Sequence, residues 1–202
     1  MIVTISNEYG SGAVAIAQRV ARVLDYDYVD RQLPVVVATR LGITSDAVDD
    51  REDSQQTLGE RLLNSLERAT PELAAASSVE PLDEEVLAAV QSAVREHAAR
   101  GDCVIVGRGA AAILGARSDV LRVFMYAPRE RRVAHVAERT GVSRHLAEAE
   151  VDRLDRARSA YIRQWYGLTF GDPRNYDLCL DTSRLDTAQS AAAILGAVQA
   201  RV

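Results

Sequence analysis

The feature that most constrains the fold is a glycine-rich turn that joins an apolar run to an amphipathic segment at the start of the chain. The run Met1–Ile5 is rich in β-branched residues, and from Gly12 to about Leu24 the apolar residues recur with helical spacing. In this order, a strand, a glycine-rich turn and a helix form a loop whose backbone N–H groups can cradle phosphate. We therefore predict a phosphate loop at residues 7–14, with a plain tight turn as the alternative.

The phosphate loop departs from the usual pattern Gly-x-x-Gly-x-Gly-Lys-Ser/Thr at three positions. Asn7 occupies the first glycine position, Ala13 the lysine position and Val14 the position of the magnesium-binding hydroxyl. Because the chain contains no lysine, phosphate here must be neutralised by arginine, backbone amide groups or a metal ion. The candidate phosphate-binding residues are Gly10, Ser11, Gly12, Ala13 and Val14.

The rest of the chain alternates short apolar runs with helical patterns. We predict further strands at 26–29, 103–106, 120–126 and 178–180, which implies an α/β fold with a parallel sheet and helices on both faces. Among the helices between them, three long ones are predicted to be capped at their N-termini. Asp83 is expected to cap a helix to Arg100, Ser143 a helix through about Trp165, and Thr182 with Ser183 the last helix, 187–201.

The helical excursions are too long for simple crossovers, so we predict one domain with two additions. The core comprises residues 1–42, 101–142 and 167–202, and the additions are a substrate-binding insertion at 43–100 and a lid at 143–166.

Composition excludes several classes of protein. A net charge of -5 over 202 residues argues against a nucleic-acid binder, and no apolar run is long enough to span a membrane. The N-terminus lacks a signal-peptide pattern, and Cys103 and Cys179 lie in apolar runs, as buried thiols do in a reducing compartment. We expect a cytoplasmic protein without nucleic-acid or membrane partners, and the oligomeric state stays open.

An arginine flanked by glycines follows a predicted buried strand. Gly107-Arg108-Gly109 would lie at the carboxyl edge of the sheet, where parallel sheets bind ligands. A guanidinium at this edge can grip phosphate with two hydrogen bonds. The alternative is a surface arginine in a flexible turn.

The predicted lid helix carries a series of arginines. Arg153, Arg156 and Arg163 share a face by their spacing and are candidates for stabilising charge on a transferring phosphate, whereas Arg158 is expected to be a solvated charge. The alternative is an exposed helix whose arginines pair with the interleaved acidic residues Glu148, Glu150, Asp152 and Asp155.

A polar stretch precedes the last strand. Its residues could border a purine ring, which would make it an adenine-side loop. The candidates are Asp172, Arg174, Asn175 and Tyr176.

Five motifs together resemble the cytidylate kinase-like family, a branch of the P-loop nucleoside monophosphate kinases, over nearly the whole chain. The motifs are Ile5-Ser-Asn-Glu-Tyr-Gly-Ser-Gly12, Tyr28-Val-Asp-Arg-Gln-Leu33, Val104-Ile-Val-Gly-Arg-Gly-Ala110, Val123-Phe-Met-Tyr-Ala-Pro128 and Gly171-Asp-Pro-Arg-Asn-Tyr176. The resemblance implies a P-loop kinase fold and transfer of the ATP γ-phosphate to CMP or dCMP, with Mg²⁺ held by the nucleotide and water. It also implies that the phosphate loop holds the ATP phosphates, that Asp30 and Arg31 belong to the monophosphate pocket, and that Arg108 binds the acceptor phosphate.

The resemblance also shows where this chain departs from its relatives. Members of the family usually read Gly-Ser-Gly-Gly-Arg, whereas this chain reads Gly-Ser-Gly-Ala-Val, so the compensating arginine is missing as well. Three hypotheses therefore stand: an active monophosphate kinase, a nucleotide-binding paralogue without catalysis, and a P-loop kinase for another small molecule.

Overall fold

A single parallel sheet organises the protein. The computed structural model describes residues 1–29 and 81–201, with the backbone alone over residues 81–86. Five strands run in the order β2-β3-β1-β4-β5, so the strand that enters the phosphate loop lies at the centre. They are β1 Ile2–Asn7, β2 Asp27–Val29, β3 Cys103–Val106, β4 Val120–Tyr126 and β5 Leu178–Asp181. The predicted α/β class, a parallel sheet flanked by helices, is confirmed.

The helices of the described residues fall largely where their apolar patterns predict them. They are α1 Ala13–Leu24, α2 Pro81–Arg100, α3 Ala110–Leu114, α4 Arg129–Thr140, α5 Arg144–Tyr166 and α6 Thr187–Gln199, with a short 3₁₀ turn at Pro173–Asn175. None of the helices in the described ranges is long and apolar enough to cross a membrane.

Three buried clusters hold these layers together. On one face of the sheet, strand residues such as Ile5 and Leu121 pack with α1 and α6, and on the other face Ile105 packs with α2 and α3. The third cluster joins α4 to α5 through Val133, Val136, Ala147 and Val151, and Tyr9 of the phosphate loop packs against it. The α4–α5 hairpin, residues 129–166, is thereby attached beside the loop.

Helix caps show where local patterns predicted correctly and where they failed. Ser143 caps α5 as predicted, because its hydroxyl accepts a hydrogen bond from the Leu146 N–H. The prediction for Asp83 is wrong, since α2 already includes Pro81 and Asp83 lies inside the helix. Proline in a first turn is tolerated because its missing N–H would have no helical partner there.

The predicted cap of the last helix is also wrong. Asp186, not Thr182 or Ser183, caps α6, and Asp186 and Gln189 form a reciprocal capping box. Ser183 instead donates its hydroxyl to Asp181 at the end of β5 (2.6 Å). The box satisfies two backbone donors, the N–H groups of Asp186 and Gln189, whereas a single hydroxyl cap satisfies one.

Candidate active site

The phosphate loop leaves the central strand at the carboxyl edge of the sheet. Gly10 and Gly12 adopt left-handed backbone conformations, with φ of 83° and 77°. A side chain at Gly10 would also collide with α4, since an added Cβ would lie 2.8 Å from the Arg132 carbonyl and 2.9 Å from Val136. The loop therefore requires glycine at position 10 both for its turn and for its close contact with the hairpin.

Inside the loop, the polar groups organise the backbone. The Asn7 amide donates to the Glu8 carbonyl (2.8 Å), and the Ser11 N–H donates to the same carbonyl (3.3 Å). Ala13 is buried in the core, whereas Val14 is 41% exposed on the first turn of α1. The start of a helix favours an anion through its N–H groups and dipole, so the backbone of this loop offers groups that can bind phosphate without a cationic side chain.

A buried arginine connects the loop to the hairpin. Arg132 is 6% exposed and donates to the carbonyls of Tyr9 (3.0 Å) and Ala127 (2.9 Å) and to the Asp155 carboxylate (2.5 Å). Its Nε also lies 3.2 Å from the Glu8 carboxylate. Burial raises the pKa of Glu8, while the Ala127 N–H and Arg132 oppose that rise. Each charge in this cluster has an opposite charge or a dipole beside it, as buried charges require.

Arg132 was not among the residues predicted from the sequence. The signal was present, because Arg132 stands on the same buried side of α4 as Val133 and Val136. A charged residue on an apolar stripe needs a buried partner.

The hairpin brings a different arginine to the loop from those predicted. Arg158 donates from Nη1 to the Asn7 carbonyl (2.6 Å), and its guanidinium stands 5.6 Å from the centre of the Tyr9 ring. The prediction that Arg158 is a solvated charge is therefore wrong.

The three arginines predicted for catalysis lie in different environments. Arg156 and Arg163 are exposed, and Arg153 is half-buried, with a buried Nη1 that has no hydrogen-bond partner among the described residues. Their catalytic roles stay predictions.

Arg108 lies on a tight, packed turn at the end of β3. Gly107, Arg108 and Gly109 are all left-handed, with φ of 71°, 59° and 67°. This conformation is uncommon for a residue with a side chain and is typical of constrained sites. The Gly107 N–H donates to the Ile5 carbonyl (2.9 Å), which ties the turn to the strand that leads into the phosphate loop.

The end of α5 closes on this turn. An added Cβ at Gly109 would lie 3.0 Å from the Tyr166 ring and 3.2 Å from the Tyr161 ring, and the two hydroxyls are 3.3 Å apart. Arg108 itself is half-buried. A surface arginine in a flexible turn, the alternative considered from the sequence, would be exposed.

A cavity of about 490 Å³ lies between the phosphate loop, α5 and the last two strands. Its lining includes Glu8, Asp155 and Ser159, three aromatic residues and Cys179. The aromatic residues are Phe124, Tyr126 and Phe170.

None of the four candidate residues of the adenine-side loop lines this cavity, although two of their neighbours do. Gly171 and Pro173 line it, whereas Asp172 and Arg174 pair with each other and the Arg174 side chain is 88% exposed. Tyr176 stacks on Phe124 with ring centres 4.9 Å apart. Asn175 donates its amide to the Thr169 carbonyl (3.0 Å). The loop's contact with a purine stays a prediction, as do the roles of Asp30 and Arg31, which lie outside the described residues.

Comparisons with known proteins agree with this architecture. The sequence profile of the cytidylate kinase-like family matches residues 2–184. A cytidylate kinase from Natronomonas pharaonis is 28% identical over 200 residues, which cover 99% of this chain and 90% of that protein.

Two solved structures share the fold. An uncharacterised protein from Eubacterium ventriosum has a TM-score of 0.70 at 19% identity, with 98% of both chains covered. A shikimate kinase from Bacteroides thetaiotaomicron has a TM-score of 0.53 at 12% identity, with 98% of both chains covered. The match of the family profile over nearly the whole length shows that the chain belongs to the cytidylate kinase-like family.

Proposed function

We propose that the chain transfers the γ-phosphate of ATP to a nucleoside monophosphate, with CMP or dCMP as the acceptor. The observation that carries this proposal is the contact between Arg158 and the Asn7 carbonyl, at 2.6 Å. It supplies a positive charge at a loop that has no lysine of its own. Membership of the cytidylate kinase-like family supports the reaction class and the acceptor.

This phosphoryl transfer requires positioning of the two substrates and stabilisation of charge, and it requires no nucleophile from the protein. The acceptor's phosphate oxygen already carries negative charge, so no general base has to remove a proton. Backbone N–H groups of the phosphate loop would hold the donor phosphates, and Arg108 would orient the acceptor phosphate from the neighbouring strand end. Arg158 would stabilise the charge that spreads over the transferring group.

The side chains fit a magnesium ion held by the nucleotide. No group of three or more His, Cys, Asp or Glu side chains among residues 1–29 and 87–201 could hold a metal ion. Val14 replaces the hydroxyl ligand, and the carboxylates of Glu8 and Asp155 are engaged by Arg132. Phosphate oxygens and water would therefore supply the ligands, as Mg²⁺ commonly accepts at nucleotide sites.

A second candidate function, nucleotide binding without turnover, is favoured by one observation. The Ala13 side chain packs in the core, and Val14 is apolar, so the first turn of α1 contributes only backbone groups to the phosphates. Such a site can bind nucleotide while stabilising the transition state poorly.

Turnover distinguishes the two functions. ADP release is measured with ATP, Mg²⁺ and each of CMP, dCMP, UMP and AMP, and we expect turnover with CMP or dCMP. Turnover at background for all four acceptors would overturn the proposal. Calorimetric binding of ATP or CMP in the absence of turnover would support the second function.

A further inference from the structure

We propose that Tyr9 is a positioning residue that fastens the phosphate loop to the α4–α5 hairpin and so sets where Arg158 stands relative to the loop. The inference rests on the proposed function for its catalytic consequence. The fastening itself is a property of the free protein.

The polar groups of Tyr9 are all engaged by the hairpin. Its N–H donates to the Asp155 carboxylate (2.9 Å), and its carbonyl accepts from Arg132 (3.0 Å). Its hydroxyl donates to Glu150 (2.9 Å) and accepts from Arg139 (3.0 Å). One residue of the loop thus bonds to two residues of α4 and two of α5.

The ring of Tyr9 lies close to a cation of each helix. The guanidinium of Arg139 is 5.7 Å from the ring centre and that of Arg158 is 5.6 Å away, both within the range of cation–π attraction. The ring also packs against the apolar cluster that joins the two helices. The hydroxyl and the ring of Tyr9 therefore both contact the α4–α5 hairpin.

This arrangement links the loop to α5. Arg158 belongs to α5, and the same guanidinium that flanks Tyr9 donates to the Asn7 carbonyl. Loss of the Tyr9 side chain would remove the hydroxyl bonds to Glu150 and Arg139 and the contacts of the ring with Arg139 and Arg158. The two backbone bonds, to Asp155 and Arg132, would remain as the direct hydrogen bonds of Tyr9 to the hairpin. We expect the loop and the Arg158 segment then to loosen together.

Two variants separate the parts of the fastening. Tyr9→Phe removes only the hydroxyl bonds, whereas Tyr9→Ala also removes the ring and its contacts with the two guanidinium groups. Tyr26→Ala is the matched control, because Tyr26 is a half-buried tyrosine that packs on the core beside α1 and away from the hairpin.

Amide hydrogen exchange of the free protein, followed by mass spectrometry, is the test. In Tyr9→Ala we expect exchange of peptides from 7–14 and 144–166 to accelerate by about tenfold or more, with β4 peptides unchanged, because local opening differs from global unfolding. Tyr9→Phe should give a smaller acceleration in the same peptides, and Tyr26→Ala none that is selective for them. Unchanged exchange at 144–166 in Tyr9→Ala would overturn the proposal.

If Tyr9→Ala does not fold, a second measurement tests the proposal without that variant. Tyr9→Phe is combined with Glu150→Gln, and the exchange rates of the single and double variants are compared. If the hydroxyl bond is the fastening, the double variant adds little to either single variant. Strictly additive effects would contradict it.

Kinetics then tests the catalytic consequence. We expect Tyr9→Ala to lower kcat by about tenfold or more and Tyr9→Phe to recover most of it, as positioning requires. An inactive parent would overturn the proposed function but would leave the exchange result to decide the role of Tyr9. An active parent whose kcat is unchanged in Tyr9→Ala would contradict the catalytic consequence alone.

Discussion

Arg132 and Asp155 meet beneath the phosphate loop, with 2.5 Å between Nη1 and Oδ2, and join α4 to α5. The arginine side chain is 7% exposed and the carboxylate side chain 24%, so water screens this pair only slightly. Both partners also bond to the backbone of Tyr9. The same pair therefore closes the hairpin and supports the loop.

Removing one partner of this pair should destabilise the protein. In Asp155→Asn we expect the free energy of unfolding to fall by about 2–3 kcal/mol, because a buried guanidinium loses its main counter-charge. Urea denaturation measures the change. Asp152→Asn breaks the more exposed pair with Arg129 and should change stability much less. An equal fall in the free energy of unfolding in the two variants would show that burial does not strengthen the Arg132–Asp155 pair.

Arg158→Gln should lower turnover more than any change at an exposed arginine of α5. The guanidinium touches the loop, so we expect kcat to fall by about 100-fold or more, with little change in thermal stability. Arg144→Gln is the control, because Arg144 bonds to Glu130 and Glu148 at the far end of the helix. A large fall in kcat in Arg156→Gln, with no fall in Arg158→Gln, would instead place the catalytic arginine on the exposed face of α5.

These residues show what the sequence could predict. The parallel sheet was predictable because its strands are short apolar runs bounded by turn residues, and β3 and β4 have the predicted bounds. Ser143 was identifiable as a cap because its partner is three residues away. A local pattern identifies such a cap when a single residue near the helix start can serve as one.

Arg158 could not be assigned correctly from sequence. Helical spacing gives the angle between side chains but not which side of the helix meets the loop. Its partner Asn7 is 151 residues away, and only the packing of the hairpin brings them together. The error at α6 has a different cause: several residues near the helix start can act as caps, and propensity alone does not rank them.

Restoring a basic residue should have different effects at positions 13 and 14 of the phosphate loop. Val14 is 41% exposed, so Val14→Arg can place a cation beside the loop, and we expect turnover to rise while stability is kept. Ala13 is 2% exposed within the core, so Ala13→Lys should cost about 1–3 kcal/mol of stability. ADP release and thermal unfolding of both variants measure these effects. Higher turnover in Ala13→Lys without loss of stability would contradict this distinction.

The turn that carries Arg108 should be intolerant of a side chain at Gly109. Gly109→Ala combines a left-handed backbone with a contact of 3.0 Å to Tyr166, and we expect a loss of about 2–3 kcal/mol. Gly141→Ala is matched in φ, at 71°, but an added Cβ there meets no atom within 4 Å. Thermal unfolding of both separates backbone strain from the steric contact. Equal losses would show that Tyr166 moves aside freely.

Acid should weaken the tie between β4 and the last strand. The hydrogen bond from Arg122 lowers the pKa of Asp177 to about 2, and Arg201 contributes as well. Because the folded-state pKa is depressed, the stabilisation is present above the ordinary aspartate pKa, near 4, and is lost as the pH falls towards 2. In Arg122→Gln we expect stability to depend less on pH across this interval than in the parent. Urea denaturation between pH 2 and pH 5 measures the difference, and parallel profiles for the two proteins would contradict it.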